Sequence, residues 1–353
     1  MKKLIKFPSI EQYRNIVANV NRNYNFVGLD ETGEAIYDHS KLKPIQMWSG
    51  TVKLHGTNAS ICFNEIDGYW LQSRENIITP QQDNAGFAMF ATGRKDIFLN
   101  IINELSNIHN ISLYENTITL CMEWVGKGIQ KGVAISEIEK SAFIFSYAKV
   151  TPFDISNEKP GYWIHTNRLS SPENRIYNLE DYKMYEIEID FNNPLAVQNK
   201  IIEMTLEVEN ECPVGKVFGI NAIGEGIVFS YFKDGELMSF KSKGEKHSKG
   251  SKVKTLKPVD DEKLNKLINI TNQVCPSWRL EQALDKTFDL INGGSLDIKK
   301  LGEFIKAVIA DIIKEDLDIL VDNELTIKDI SGKVSELSRQ YFFDKQNEEV
   351  GLK

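Results

Sequence analysis

No run of apolar residues in this 353-residue chain approaches the roughly 20 needed to span a bilayer as a helix, which excludes a transmembrane helix. Cysteine is scarce. The four cysteines, Cys62, Cys121, Cys212 and Cys275, are far apart and form no C-x-x-C pair. That argues against a disulfide framework or a cysteine-rich zinc site and for reduced thiols in a cytoplasmic, intracellular protein. The five histidines are scattered too, so no structural metal cluster is expected. Met1 to Pro8 carries charge but no apolar stretch follows it, so it does not read as a signal peptide. Positive charge is also short overall: 42 basic against 50 acidic residues leave a net charge of −8, which argues against indiscriminate binding of polyanions.

What is present fits a folded chain of two domains. Hydrophobic residues make up 41% and charged residues 26%, enough for a substantial core in a soluble protein. The basic residues that do exist are concentrated. Between Lys241 and Lys257 stand seven lysines (241, 243, 246, 249, 252, 254 and 257) against one acid, Glu245. Binding follows the local field and not the sum, so a confined basic channel is compatible with an acidic chain.

The stretch Thr51-Val52-Lys53-Leu54-His55-Gly56-Thr57-Asn58-Ala59-Ser60 has β-prone residues on either side of a turn-forming His-Gly-Thr-Asn. It predicts a strand, a tight turn at the glycine and a returning strand, with Lys53 at the rim of a pocket. An amine desolvated there and flanked by cations holds its proton less tightly, and a neutral lysine is a nucleophile. The plain alternative is a surface lysine beside an ordinary turn.

Further signals follow in order. Ala59–Asn64 and Tyr69–Gln72 predict a hairpin across Asp67-Gly68, and Ser73-Arg74 ends it. Ile97–His109 has the apolar spacing of an amphipathic helix. The buried strand Ile118–Met122 ends in Glu123-Trp124-Val125-Gly126. The glycine-rich Gly126–Gly132 is not a Walker A sequence; it either holds Lys127 or Lys131 near phosphates or forms a surface turn. Ser141–Tyr147 alternates like a strand, with Phe145 favoured as a base-stacking residue and Phe143 as core. Residues 151–215 read as an elaborated loop region with a helix near Pro194–Val208. Val217–Ile220 reads as a strand, and Glu225-Gly226-Ile227-Val228 starts another. After the Asp234-Gly235 turn, Lys241 and Lys243 fall on one face of a strand. Two ammonium groups side by side repel unless an anion lies between them. The leader, residues 1–50, predicts a short helix after Ser9 and carries no chemistry.

Together K-L-H-G-T-N, S-R, E-W-V-G, an aromatic strand, E-G-I-V and K-S-K resemble the ordered motifs of ATP-dependent RNA ligases of the T4 RNA ligase 2 type, which are covalent nucleotidyltransferases. The resemblance spans residues 51–243. It departs from the family at Ser146, where an aspartate is usual. It implies ATP and Mg²⁺ as cofactors and RNA with nicked or broken ends as partner. It also implies that Lys53 becomes adenylylated, Lys241 and Lys243 contact the α-phosphate, and Glu225 acts at the metal-dependent steps. Glu123 is implied on the ribose, Phe145 on adenine, and Arg74 on phosphate or the 3′ end. His55, Gly56 and Asn58 complete the nucleotide-binding turn. The histidine after the lysine separates the chain from DNA ligases and capping enzymes, which usually have aspartate there.

Beyond Pro258 the apolar spacing turns helical (Leu264, Leu267, Ile268, then Leu280–Ile291, Gly302–Lys314 and Ile330–Phe343). The expected fold is therefore α+β. An antiparallel-sheet adenylyltransferase domain over 1–250, with the ATP-grasp-like ligase architecture that the resemblance implies, precedes a smaller all-α domain over 258–353 that by analogy holds RNA. A monomer with no membrane partner is favoured. The alternatives are a DNA nick ligase or other covalent nucleotidyltransferase, a catalytically inactive RNA-binding relative, and a scaffold that binds neither.

Overall fold

The computed structural model describes residues 2–29, 33, 35–38, 41–153, 161–248, 256–290 and 293–350. Lys249, Lys252 and Lys254 of the basic run lie outside them. The chain begins with a short strand β1 (Glu11–Gln12), helix α1 (Tyr13–Asn25), β2 (Phe26–Leu29) and β3 (Ala35–Tyr37). The lysine-bearing β4 (Ile45–Lys53) is followed by β5 (Thr57–Asn64), β6 (Gly68–Ser73) and β7 (Ile77–Ile78). Helices α2 (Phe87–Thr92) and α3 (Lys95–Ile108) lead to β8 (Asn116–Val125). Then come β9 (Ser141–Ile144), β10 (Tyr147–Pro152), β11 (Tyr162–His165), β12 (Ile176–Asn178) and β13 (Met184–Asp190). Helices α4 (Gln198–Asn210) and α5 (Pro213–Val217) precede β14 (Gly226–Lys233), β15 (Glu236–Lys243) and the one-turn α6 (Glu245–Ser248). The rest is helical: α7 (Asp261–Val274), α8 (Ser277–Phe288), α9 (Leu301–Glu315), α10 (Leu317–Asp322) and α11 (Ile327–Val350). The fold is α+β, with largely antiparallel sheets followed by an all-α C-terminal region.

Two sheets frame the site. One has the order β1-β15-β14-β4-β13, and the other runs β11-β10-β8-β5-β6-β7 with β9 and β12 attached. In the second sheet, Ala59 and Ile61 of β5 alternate with Ser60 and Cys62, so one face is apolar and the other polar. The apolar face packs on α2 and α3 through Phe87, Phe98, Ile101, Ile102 and Leu105. Their i, i+3, i+4, i+7 spacing puts Phe98 to Leu105 on one side of α3. Each such side chain contributes roughly 1.5–3 kcal/mol when fully buried, so this packing holds β5 and β8 rigidly beneath the site.

Several expectations need correction. Lys53 does not sit in a hairpin: β4 and β5 belong to different sheets, and His55-Gly56 carries the chain from one to the other. The strand expected over 141–147 is broken at Phe145-Ser146, where the chain passes from β9 to β10. Residues 151–215 are not mainly loop but supply β11, β12 and β13, and their helix starts at Gln198. Val217–Ile220 is no strand; it closes α5 through the Phe218 and Ile220 amides on the Gly215 carbonyl. The hairpin across Asp234-Gly235 does form, with both residues at positive φ (52° and 82°), as a two-residue turn between twisted strands requires.

By packing, the chain divides into two compact units. The first comprises Met1–Ile16, Gln46–Ile189 and Val197–Lys257, and the second Val17–Ile45, Asp190–Ala196 and Pro258–Lys353. The helices of the second unit enclose their own core, built on Val274, Phe304, Val308, Ile312, Leu320, Ile330, Val334 and Phe342. All four cysteines are buried thiols. Among the described residues no helix is long and apolar enough to cross a membrane.

Candidate nucleotide-binding site

The first unit gathers charge at one carboxylate. β4 ends at Lys53, and β14 lies between β4 and β15 with Gly226 opposite both Lys53 and Lys243. Glu225, immediately before that glycine, is thus flanked by two ammonium groups. Lys53 Nζ donates to its Oε2 at 2.7 Å, and Lys243 Nζ lies 2.6 Å from Oε1. His55 Nδ1 stands 3.4 Å from Oε2. Glu225 is 2% exposed, while the lysines keep 19% and 17% of their side-chain surface. Burial pulls the Glu225 carboxyl upward. The His55 hydrogen bond and the Lys53 and Lys243 ammonium groups outweigh it and hold the acid well below the usual carboxylate range.

Gly226 is what allows this crossing. Its φ is +149°, and a Cβ there would meet the Ser242 carbonyl oxygen at 2.0 Å. Gly56 answers a similar demand on the other side of Lys53, where a Cβ would lie 2.3 Å from the Trp124 carbonyl oxygen. The close approach lets the Gly56 amide donate to Glu123 Oε1 at 3.0 Å. Glu123 sits in β8 opposite Asn58 of β5. Burial pushes its carboxyl up to about 7, and Glu225 adds to the rise. Lys53, the Gly56 amide and His55 pull the other way. Two carboxyls in one site therefore have acidities displaced in opposite directions, a pattern found where charge is handled.

A cavity of ≈ 80 Å³ opens beside Lys53 and Glu123. Phe145, Tyr147, Val52 and Val228 are among its walls, and it lies between the two sheets. Phe145 is fixed there by its backbone: its amide donates to the Cys121 carbonyl at 3.0 Å, and its carbonyl accepts from Thr166 Oγ1 at 2.9 Å. Phe143 is fully buried against Tyr177 and Tyr182.

The remaining candidates stand at the rim. Lys241 Nζ does not reach Glu225; it donates to the Ile10 carbonyl at 2.8 Å. Burial, then the charges of Lys243, Lys53 and Arg74, lower the Lys241 amine's pKa, with Glu11 opposing them. Lys53, expected to be flanked by cations, is instead ion-paired to Glu225. Arg74 is exposed and donates from Nη2 to Ser9 Oγ at 3.1 Å. Lys127 and Lys131 are exposed on their loop, which touches the site through Gln130 Nε2 donating to the Gly56 carbonyl at 3.3 Å.

Sequence reasoning missed three residues here. His247 of α6 lies with its ring 5.7 Å from that of His55, and its Nε2 is buried without a hydrogen-bond partner among the described residues. Burial is the main cause that pulls its imidazole below the ordinary value. Its place four residues after Lys243, in the basic run, was the available signal. Phe7 and Ile10 of the leader line the cavity, so that segment is not inert. Neither has a pattern that marks it.

Comparison with known proteins gives a distant likeness. No protein-family model matches the chain, and no curated protein does. Solved structures of an RNA ligase from Naegleria gruberi are similar in fold. The form with pyrophosphate is 16% identical at a TM-score of 0.40, covering 70% of this chain and 58% of that one. A mutant of it with ATP and Mn is 16% identical at 0.43 over the same shares. Another mutant with ATP and Mn is 17% identical at 0.39, covering 69% and 59%. The chain thus spans under two thirds of that enzyme's length.

Proposed function

We propose that this protein is an ATP-dependent RNA ligase that joins 3′-OH and 5′-phosphate ends through a lysyl-AMP intermediate on Lys53. The observation that carries the reading is the convergence of Lys53, Lys243 and His55 on the Glu225 carboxylate, beside a cavity walled by Phe145 and Glu123. The motif order supports it independently.

In the free protein Glu225 stands where anionic phosphate oxygens would be bound. The lysines then have two alternative partners of the same sign, and a triphosphate replaces the carboxylate with more negative charge. Lys243 neutralises the α-phosphate; the Lys53 ammonium first sheds one proton to water, and the neutral Nζ then attacks the phosphorus and loses a second proton to water as the N–P bond forms. The bond to the bridging oxygen breaks, and pyrophosphate leaves. The adenylate next passes to an RNA 5′-phosphate, and a 3′-OH displaces AMP to close the phosphodiester. The protein's contribution is positioning and preorganised charge. Phe145 provides the stacking face for the base and Glu123 an acceptor for a ribose hydroxyl. His55, Asn58 and Arg74 are assigned to the RNA end and the leaving phosphates. The second unit is assigned to holding RNA, on the family resemblance alone.

Among the described residues no three His, Cys, Asp or Glu side chains converge to cage an ion. One or two carboxylates do suit an ion that arrives on substrate phosphates, which is how Mg²⁺ is usually held. Glu225, once released by its lysines, is the residue that would hold it. Bound there, the ion would neutralise charge on the leaving pyrophosphate.

Incubation with α-labelled ATP and Mg²⁺ tests the assignment. Wild-type protein is expected to acquire a covalent label that chases into sealed RNA, and Lys53→Ala to acquire none. Label from GTP instead, or sealing of nicked DNA only, would point to another nucleotidyltransferase. RNA binding without label would mark an inactive relative.

A further inference from the structure

The leader crosses the site as a strap tied at both ends. At one end the Ile5 amide donates to Gln72 Oε1 at 3.1 Å, and the Ile5 carbonyl accepts from Gln72 Nε2. At the other, Glu11 and Gln12 pair in parallel with Phe240 and Lys241 of β15. Between the ties, one short segment touches three of the residues assigned to the nucleotide and RNA. The Phe7 ring packs on Phe145 with centroids 5.2 Å apart and planes at 53°. Ser9 Oγ accepts from Arg74, and the Ile10 carbonyl accepts from Lys241.

The spacing decides what Phe7 does. A base stacks at about 3.5–4.0 Å from a ring, so one held between two rings needs roughly twice that separation. Phe7 and Phe145 leave 5.2 Å, too little for a base to enter between them. The cavity they border, ≈ 80 Å³, is also well short of the roughly 300–1,000 Å³ of ligand pockets. Something must move before a nucleotide fits. The strap's middle is held by side-chain contacts and not by strand pairing: Phe7 is half-buried, with its ring edge-on to Trp163 at 5.8 Å, Pro8 and Ser9 are exposed, and Pro8 has no amide hydrogen to donate. Phe145, by contrast, is held by β8 and Thr166.

We propose that Phe7 closes the base site in the free protein, standing where a nucleotide's base would stack on Phe145, and that the strap shifts outward when a nucleotide binds. The inference rests on the nucleotide-binding reading above. It also couples two parts of the site. An outward shift separates the Ile10 carbonyl from Lys241 and Ser9 from Arg74, so arrival of the base releases both cations from the strap, with Arg74 Nε still 3.8 Å from Glu75 Oε1.

Calorimetric titration with AMP tests this apart from the chemistry, because AMP has no pyrophosphate to lose to Lys53. Removing an aromatic contact that the base must break should tighten AMP binding by Phe7→Ala roughly two- to tenfold. Phe7→Leu should change it in the same sense by less, and decides the matter if the alanine variant melts early. Phe145→Ala should bind AMP more weakly than wild type. Equal or weaker binding by both Phe7 variants, with Phe145→Ala impaired, would make Phe7 a fixed wall and overturn the closure. Absence of AMP binding in wild type and every variant would overturn the nucleotide reading itself, and the closure with it.

Discussion

Glu225 and Glu123 sit in one site yet respond to pH in opposite senses. The folded-state pKa of Glu225 lies below the ordinary 4.5, so its contribution to stability is present above that value and is lost as pH falls through the folded value. Glu123 is raised to about 7, so the fold is favoured by its neutral form below pH 4.5, and that advantage fades as pH climbs through 7. Glu123→Gln should therefore melt higher than wild type at pH 8, by up to about 3 kcal/mol, and match it near pH 4. Denaturant titrations at the two pH values would show it, and equal offsets at both would refute the assignment. Glu225→Gln should behave differently. It leaves Lys53 and Lys243 close together without their carboxylate, at a cost on the order of 2 kcal/mol. Pyrophosphate should restore much of that loss, because an anion can take the place of the carboxylate. A thermal shift with pyrophosphate that is no larger than in wild type would argue against phosphate binding between these lysines.

At the scale of elements, the site depends on two places where backbone must pass backbone. Gly226 lets Glu225 turn in beneath the β14–β15 pair, and Gly56 lets the β4–β5 crossing press on β8. Gly226→Ala must displace the Ser242 carbonyl, so it should abolish Lys53 labelling and lower the melting temperature. Full labelling by that variant would mean that the register of Glu225 with Lys53 and Lys243 is dispensable. These glycines also mark what could be read from the chain. Lys53, Glu225 and Lys243 were legible because each ends or begins a strand with a clear β pattern. The apolar period of α3 was equally plain. The crossing between sheets was not, because a turn signal at His55-Gly56 is the same whether the next strand pairs with the last or joins another sheet. Residues 151–215 misled for a related reason. Their strands are short, edge-like and rich in proline and asparagine nearby, and they are stabilised by pairing that no local pattern reveals. Phe7 was illegible because a single aromatic in a leader has no period, and only the folded chain brings it to Phe145.

At the scale of the whole molecule, the proposed chemistry lies in one unit and most of the helix in the other. The second unit is not a simple tail, since Val17–Ile45 and Asp190–Ala196 belong with Pro258–Lys353. Cutting the chain at Lys257 would strand those segments, so a point substitution is the cleaner way to separate the roles. Arg279 of α8 offers one. It is 4% exposed, its Nε lies 2.7 Å from Asp311 Oδ2, and its Nη1 contacts both Asp316 and the Val274 carbonyl. Removing a buried cation that holds two acids and a helix end typically costs about 3–5 kcal/mol. Arg279→Met should therefore loosen α7 to α10, seen as faster hydrogen exchange across 261–322. Lys53 labelling by ATP should stay near wild type, because every residue assigned to that step lies in the first unit. If the second unit holds RNA, sealing of nicked RNA should fall far more than labelling does. Equal loss of both activities would show that adenylylation needs the helical unit intact, and the division of labour proposed between the units would be wrong.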